Sequence, residues 1–304
     1  MIFSSFPFSV GSRFLRQGVV AFAVLAVLAG GLVLFRPSQA LGLDESESGP
    51  RVLLLNSYHP QYPWTDHVMQ GIKKGLSGVV AEERLHIEFM DLRRHTDDPG
   101  YQELLYDVYA RKFRSTRFNL IFCADDYALH FLEKYRANLF PGTPLVFCGV
   151  NAYDPGLQQR LGNATGIFEA MEVDKNLDLI FRLQPNVKRV VFLLDQTSLG
   201  ALMRRDVEQA IATYSGQGVQ FEIWDDFTLP ELYLRLEKLG PGAVVQLVHL
   251  IADRAGNVFS FSRHTPILAR YSRVPIYGMW GMALGRGIVG GMLTNGERHG
   301  LRTA

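Results

Sequence analysis

Short apolar runs alternate with amphipathic segments along the chain from Arg51 onward. The first run, residues 51–56, ends in a polar residue and is followed by Val68, Ile72 and Leu76 at the spacing of one helix face. The alternation then recurs up to residue 150. A series of strands with helices between them predicts a parallel sheet that is covered by helices on both faces.

A second series follows residue 163. The loop before it, residues 149–163, contains Pro155 and three glycines and shows no apolar period. We therefore predict two doubly wound, Rossmann-like α/β lobes, residues 51–163 and 164–287, with residues 288–304 crossing back to the first lobe. The predicted strands are residues 51–56, 86–92, 118–124, 144–150, 165–171, 188–194, 219–224, 243–250 and 275–278. The predicted helices start near residue 65 and then cover residues 101–113, 126–138, 174–183, 198–214, 229–239 and 264–271.

The first 40 residues have the pattern of a segment directed to a membrane. Residues 18–35 carry no charged side chain, and Arg13 and Arg16 precede them. Such a helix spans about 27 Å, close to the hydrocarbon thickness of a bilayer, and the arginines predict a cytoplasmic N-terminus. Small residues up to Ala40 also fit a signal-peptidase site, so an uncleaved anchor and a cleaved signal peptide both stay open. In either case residues 41–50 are a linker, and the rest is expected in the periplasm or otherwise outside the cytoplasm.

The composition shows no strong charge bias. The chain has 304 residues, with 31 Lys and Arg against 30 Asp and Glu. The net charge of +1 gives no electrostatic reason for a nucleic-acid partner. Two cysteines cannot form a disulfide framework, and His59, His67 and His95 lack the spacing of metal ligands. We therefore expect neither a structural metal nor a cofactor.

Polar and aromatic residues at the carboxyl ends of the predicted strands are the candidate ligand contacts, because ligands of open α/β sheets lie beyond these ends. Rings alternate there with small polar groups, which suits a small organic solute of the amino-acid or aromatic-acid type. Tyr127 and Tyr153 are further candidates for a cleft wall. The ligand-contact candidates are Asn56, Ser57, Tyr58, Trp64, Asp125, Asp126, Asn151, Glu169, Asp195, Thr197 and Trp280.

Several stretches of the chain resemble a known family. They are RVLLLNSYHPQYPWTDHVMQGI at residues 51–72, FNLIFCADDYAL at 118–129, TPLVFCGVNAYDP at 143–155, the segment 166–200, and GMWGMALGRGIVGG at 278–291. In these residues the chain resembles the ABC-transporter substrate-binding-protein-like family, which includes periplasmic sensor domains of bacterial histidine kinases and diguanylate cyclases. The resemblance implies a type I periplasmic-binding-protein fold whose two lobes close around a small molecule without catalysing a reaction.

The resemblance also implies partners. A sensor would act with a kinase or a cyclase, whereas the alternative, the solute-capture component of an ABC importer, would act with a permease. Family members continue after residue 291 with a helix and a further strand on the first lobe, whereas this chain reaches Ala304 through a polar tail. We therefore expect a truncated return crossing and a less stable first lobe.

The alternative to a binding protein is an exported α/β enzyme, but the sequence contains little evidence for a catalytic site. Asp125 and Asp126 could be paired catalytic carboxylates, but one ligand contact beside an N-cap for the next helix is simpler. Residues 285–290 match GxGxxG without the helix and the acidic residue that dinucleotide binding needs. No GxSxG, Walker A or HExxH motif occurs. We predict no catalytic residue.

The two cysteines end two predicted strands. If these strands are neighbours, we expect the thiols of Cys123 and Cys148 to lie close together. A disulfide is conceivable outside the cytoplasm, but adjacent parallel strands strain its geometry. Two reduced, buried thiols are therefore our expectation.

Overall fold

The computed structural model describes residues 49–304 apart from residues 96, 97, 99, 152, 153 and 217. The predicted membrane segment at residues 18–35, most of the linker and Tyr153 lie outside the described residues. Among the helices that are described, none has both the length and the apolar character needed to cross a bilayer.

Within the described residues, the first sheet consists of five parallel strands in the order β2-β1-β3-β4-β5. The central position of β1 explains its apolar run, because a strand with neighbours on both sides and helices on both faces is fully buried. The strands are β1 (Val52–Asn56), β2 (Leu85–Phe89), β3 (Leu120–Ala124), β4 (Leu145–Val150) and β5 (Ala164–Phe168). The helices of this part are α1 (Pro63–Leu76), α2 (Tyr101–Lys112), α3 (Asp126–Leu139) and α4 (Leu157–Leu161).

The second sheet, as far as the chain is described, has four parallel strands in the order β7-β6-β8-β9. Both sheets therefore reverse their strand order next to their first strand, β1 in one and β6 in the other. The strands are β6 (Arg189–Leu193), β7 (Gln220–Trp224), β8 (Ala243–Leu247) and β9 (Ile276–Gly278). The helices are α5 (Val173–Leu183), α6 (Ser198–Tyr214), α7 (Leu229–Glu237) and α8 (Phe261–Tyr271).

The boundary between the lobes lies later than predicted. Residues 164–168, which we assigned to the second lobe, form β5 and pair in parallel with β4. The loop 149–163 is therefore the connection within one sheet, and it contains the short helix α4. An apolar pattern shows that a segment is a strand, but it does not show which of two sheets the strand joins.

The polar tail forms a helix that packs on the first lobe. Helix α9 (Gly296–Thr303) lies along α1 and also contacts β4. The two helix backbones approach closely because glycines lie in their interface. A Cβ atom added at Gly300 would lie 2.1 Å from the Val68 carbonyl oxygen, and one added at Gly71 would lie 2.0 Å from the Glu297 carbonyl oxygen.

Cys123 and Cys148 lie on neighbouring strands but face opposite sides of the sheet. In the pairing of β3 with β4, Cys148 is opposite Ala124, whereas Cys123 is opposite Phe147. Successive residues of a strand point to opposite faces, so the thiols enter different layers of the core. Both cysteines are buried and free, as expected, and their side chains leave the sheet on opposite faces.

We predict that Gly300→Ala destabilises the protein by about 1 to 3 kcal/mol, the usual cost of overpacking. The new methyl group would meet a backbone carbonyl, which cannot rotate away as a side chain can. Gly240→Ala is the matched control, because no heavy atom lies within 4 Å of a Cβ added there. Urea denaturation measures both variants. Equal unfolding midpoints for the two would contradict the packing of α9 on α1.

We also predict that neither thiol of the native protein reacts rapidly with a thiol-specific reagent. Burial blocks access and raises the pKa of both the Cys123 and the Cys148 thiol. After denaturation without a reductant, two thiols per chain should react. Fewer than two would show that the cysteines are oxidised.

Candidate functional site

A cavity of about 830 Å³ lies at the carboxyl ends of both sheets. The first sheet contributes Tyr58, which follows β1, and Asp125, which follows β3. The second sheet contributes Gln196 after β6 and His249 after β8. In each sheet these are the two strands between which the order reverses, the usual position of a ligand in open α/β folds. The cavity volume falls in the range of about 300–1,000 Å³ that is typical of small-molecule sites.

The structure brings most of the sequence-derived candidates together. Tyr127, the additional wall candidate, also faces the cavity. Three of the eleven candidates, Asn56, Ser57 and Asp195, are not part of its lining. The candidates that line the cavity are Tyr58, Trp64, Asp125, Asp126, Asn151, Glu169, Thr197 and Trp280.

The three remaining candidates bond to backbone groups instead. The Asn56 amide donates to the Glu88 carbonyl at 3.2 Å. The Ser57 hydroxyl donates to the Ala124 carbonyl at 2.7 Å and so ties the end of β1 to the end of β3. Asp195 accepts from the backbone N–H groups of the loop after β8. In the described structure these three side chains serve the backbone, because strand ends leave backbone groups that need partners.

Asp125 is deeply buried beside the cavity, with 2% of its surface exposed. Its Oδ1 accepts a hydrogen bond from Trp64 Nε1 at 2.6 Å, whereas its Oδ2 has no partner among the described residues. Burial raises the pKa of the Asp125 carboxyl well above its usual range, the bond from Trp64 lowers it, and the charge of Asp126 raises it further. The site thus contains a carboxyl group with one free oxygen.

The two adjacent aspartates have different roles. Neither forms the side-chain N-cap that the sequence suggested, since the side chain of Asp125, the residue at the N-cap of α3, makes no cap hydrogen bond. Asp126 instead accepts from the Asn151 backbone N–H at 3.2 Å and from the Asn151 amide at 2.6 Å. This contact joins the loop after β4 to the start of α3.

Glu169 places a second carboxyl group at the cavity. It follows β5, is 9% exposed, and its Oε1 has no partner in the described part of the chain. Burial raises the pKa of Glu169 well above its usual range, and the charges of Asp125 and Asp126 raise it further. Both buried carboxyl groups therefore favour their protonated forms, and the charge of Asp125 adds to this preference at Glu169.

Aromatic rings form the remaining walls. The Tyr58 ring meets the Tyr62 ring at a centroid distance of 5.3 Å and the Tyr127 ring at 6.2 Å, both edge to face. Trp64 of the first lobe and Trp280 of the second meet edge to face at 5.7 Å. Trp280 Nε1 donates to the Val248 carbonyl at 2.6 Å, which fixes its ring. Both lobes therefore present fixed rings to one cavity.

Several charged or titratable residues of the cavity lining are not among the eleven candidates, and Arg93 and His249 are two of them. Arg93 lies over the Tyr62 ring, with its guanidinium carbon 4.5 Å from the ring centroid. His249 is 6% exposed and its Nε2 has no partner within the described residues. Burial lowers the pKa of His249 to about 4, with Asp195 raising it and Arg93 lowering it. His249 was not selected because the predicted strand, residues 243–250, includes it. The observed strand β8 ends at Leu247, so His249 lies beyond the carboxyl end of the strand, where ligand contacts are expected.

The histidines that the sequence left unassigned do not form a metal site. In residues 49–304, the masked positions excepted, no three His, Cys, Asp or Glu side chains are grouped as metal ligands. The glycine run at 285–290 is part of the crossing after β9, and the Gly278 N–H donates to the Gly290 carbonyl at 2.8 Å.

Comparison with solved protein structures identifies the fold of this chain. No family model and no curated protein matches the chain. Solved structures do match. A conserved domain protein from Vibrio cholerae is 16% identical with a TM-score of 0.55, over 84% of this chain and 83% of the other. An ABC domain from Streptococcus pneumonia in complex with L-Trp is 17% identical with a TM-score of 0.55, over 84% and 82%. A ligand-free, open substrate binding protein with adhesive properties from Clostridium difficile is 16% identical with a TM-score of 0.56, over 84% and 82%.

The chain has the type I periplasmic-binding-protein fold. The fold expected from the sequence resemblance is thereby confirmed, including the two α/β lobes with parallel sheets. In this periplasmic-binding-protein fold the cavity described above is bounded by both lobes, with the two unpaired carboxyl oxygens on the first lobe and His249 on the second.

We predict that Glu169→Gln stabilises the empty protein at neutral pH by about 1 to 3 kcal/mol, the scale of one unsatisfied buried polar group. The folded-state pKa of Glu169 is raised, so folding favours its protonated form. The free energy of unfolding of the unaltered protein should therefore fall as the pH rises from the ordinary glutamate pKa towards the raised pKa of Glu169. The free energy of unfolding of Glu169→Gln should fall less over the same pH range. Thermal unfolding from mildly acidic to neutral pH measures this, with Glu237→Gln at the exposed end of α7 as control. Identical pH profiles for Glu169→Gln and the control would contradict the buried-carboxyl assignment.

Proposed function

We propose that this protein binds a small organic solute with a protonated amine in the cleft between its lobes, outside the cytoplasm. The observation that carries the proposal is that two buried carboxyl oxygens at the same cavity, Asp125 Oδ2 and Glu169 Oε1, lack a hydrogen-bond partner among the described residues. An ammonium group supplies both the positive charge and the hydrogen-bond donors that these oxygens need. A cation in this position would also remove the repulsion between the two carboxylates.

The rest of the cleft suits an amino acid. Tyr58, Tyr62 and Trp280 offer ring faces and edges to an apolar or aromatic side chain. Arg93 faces the same cavity and, within the described part of the chain, forms no ion pair with a carboxylate. Its guanidinium can therefore donate hydrogen bonds to the carboxylate of a solute. An aromatic acid without an amine would leave Asp125 and Glu169 unpaired. Two solved structures of similar fold are complexes with an amino acid, one with L-Trp and one, from Streptococcus pneumoniae, with isoleucine.

In this proposal, the protein signals by closure of its two lobes around the bound solute. A solute that touches Asp125 on the first lobe and His249 or Trp280 on the second binds the closed arrangement better than the open one. This difference in affinity is the free energy that shifts the two lobes towards closure. No catalytic step is needed, and the cavity residues serve only to orient the solute.

Two kinds of partner protein could recognise the closed lobes. We assign the protein to a sensor that acts through a kinase or a cyclase and is tethered through residues 18–35. The second candidate is solute capture for an ABC permease, which is favoured by similar structures that come from ABC transporters. Membrane fractionation of the chain, followed by N-terminal sequencing, tests the tether: a soluble product cleaved near Ala40 favours capture, and a membrane-bound uncleaved chain favours sensing.

We predict that the amine, and not the carboxylate, decides binding. Thermal shift of residues 42–304 should show stabilisation by an amino acid and by its amine analogue, but not by the deaminated acid. L-tryptophan, tryptamine and indole-3-propionate form one matched set, and L-isoleucine, 2-methylbutylamine and 3-methylpentanoate form a second. At a concentration of about 100 times the Kd, the stabilisation is about 2.7 kcal/mol.

Asp125→Asn should lower the affinity for the amine by about 10- to 100-fold, because one charge-assisted hydrogen bond is lost. The control is Asp107→Asn on the exposed face of α2, which should bind normally. Stabilisation by the deaminated acids, with no requirement for the amine, would contradict the proposal.

A further inference from the structure

Helix α9 contacts the strand ends behind the cleft through one histidine. The Gly149 backbone N–H donates to His299 Nε2 at 3.0 Å. The His299 ring also lies against Trp64, with 6.1 Å between the ring centroids and 46° between the planes. His299 itself is not part of the cavity lining. His299 therefore contacts Gly149 and Trp64, the two neighbours of Asp125, but does not face the cavity in which we propose that the solute binds.

Gly149 needs this partner because the strand pairing is irregular there. The register between β4 and β5 shifts between Phe147 and Val150. Gly149 has a φ of 70°, a left-handed conformation that favours glycine. A Cβ atom at this position would lie 2.5 Å from Asp125 Oδ1. The backbone of Gly149 is thus in close contact with the Asp125 carboxyl, and His299 binds the N–H group of that same residue.

The His299 ring is suited to accept this bond. Burial lowers the pKa of His299, a hydrogen bond with the Ile167 backbone raises it, and the charge of Arg302 lowers it. A neutral ring that accepts at Nε2 carries its proton on Nδ1, the nitrogen that can donate to the Ile167 carbonyl in β5. The close packing of α9 at Gly300 and Gly71 fixes the position of the helix, and with it that of the ring.

Trp64 closes the set of contacts. Its indole Nε1–H donates to Asp125 Oδ1 at 2.6 Å, while its ring lies beside His299. Four residues are therefore linked in a ring of contacts, His299 to Gly149, Gly149 to Asp125, Asp125 to Trp64, and Trp64 back to His299. Of the buried side-chain atoms in this set, Asp125 Oδ2 alone has no hydrogen-bond partner within the described residues.

We propose that His299 is a positioning residue that orients the Asp125 carboxyl towards the solute by holding Gly149 and Trp64. This inference rests on the proposed solute site. Loss of the acceptor leaves a backbone N–H without a partner at an irregular strand end, which allows Gly149 to move and the Asp125 carboxyl to move with it. The last helix of the chain thereby affects a cleft that it does not line.

The first test needs no solute. The three tryptophans, Trp64, Trp224 and Trp280, give separate indole N–H signals in a nitrogen-15 NMR spectrum, and Trp64→Phe assigns the one of interest. His299→Leu should shift the Trp64 signal and speed the hydrogen exchange of both this N–H and the Gly149 amide. His299→Gln keeps an acceptor and a donor on a side chain of similar length and should restore both. The Trp224 signal should not change in either variant.

A variant of comparable stability separates positioning from general weakening. Val207→Ala removes buried methyl groups from α6 in the second lobe and should leave the Trp64 and Gly149 signals unchanged. Unchanged signals in His299→Leu would overturn the inference. So would a His299→Gln variant that is perturbed as much as His299→Leu.

The second test measures affinity with L-tryptophan and tryptamine as probes. We expect His299→Leu to bind about tenfold more weakly, the scale of one misplaced hydrogen-bond partner, and His299→Gln to bind almost normally. Equal affinity of His299→Leu and the unaltered protein would overturn the inference. If neither probe binds the unaltered protein, the proposed function fails for these probes, whereas the NMR result still decides the positioning role.

Discussion

Two carboxyl groups, Asp125 and Glu169, are buried beside one cavity, and neither forms an ion pair within the described part of the chain. Solute binding and stability both depend on this electrostatic constraint. Asp125 and Glu169 are removed from water at the ends of β3 and β5. Trp64 satisfies one oxygen of Asp125, but a single neutral donor does not balance two acids. The empty cleft is therefore less stable than it would be with neutral side chains, and a cationic solute relieves the cost. Stability and binding oppose each other at these two positions.

The fold makes this arrangement possible through the direction of its strands. Parallel strands end at one edge, and both sheets reverse their order between the strands that carry cleft residues. Some of the polar groups at these strand ends bind backbone: Ser57 joins β1 to β3, and Asp195 binds the loop after β8. Only the side chains left free by these contacts are available to a solute. Helix α9 adds support from behind, where close packing at Gly300 positions His299 against Gly149 and Trp64.

The spacing of apolar residues predicted the helices and strands that have an apolar buried face, but it predicted little else. Helix α6 was predicted with its observed bounds, and the strands differ from prediction only at their ends. Helix α9 was missed because its buried residues are glycines, Gly296 and Gly300, which give no apolar signal. On α2 the core face has Leu105 and Tyr109, whereas the adjacent Leu104 is exposed, so an apolar residue alone does not identify the buried face. Residue type likewise cannot show whether a polar strand end binds backbone or faces a cavity, as Asn56 and Asp125 illustrate.

If Asp125 and Glu169 bind the ammonium group of the solute, then solute binding is accompanied by proton release. Asp125 and Glu169 have raised pKa values in the empty protein, and a bound cation lowers them. Titration calorimetry of the amine in buffers of different ionisation enthalpy, at mildly acidic pH, measures protons released per solute bound. The account predicts net proton release that falls when Glu169 is replaced by glutamine. Binding without any proton release, or with proton uptake, would contradict it.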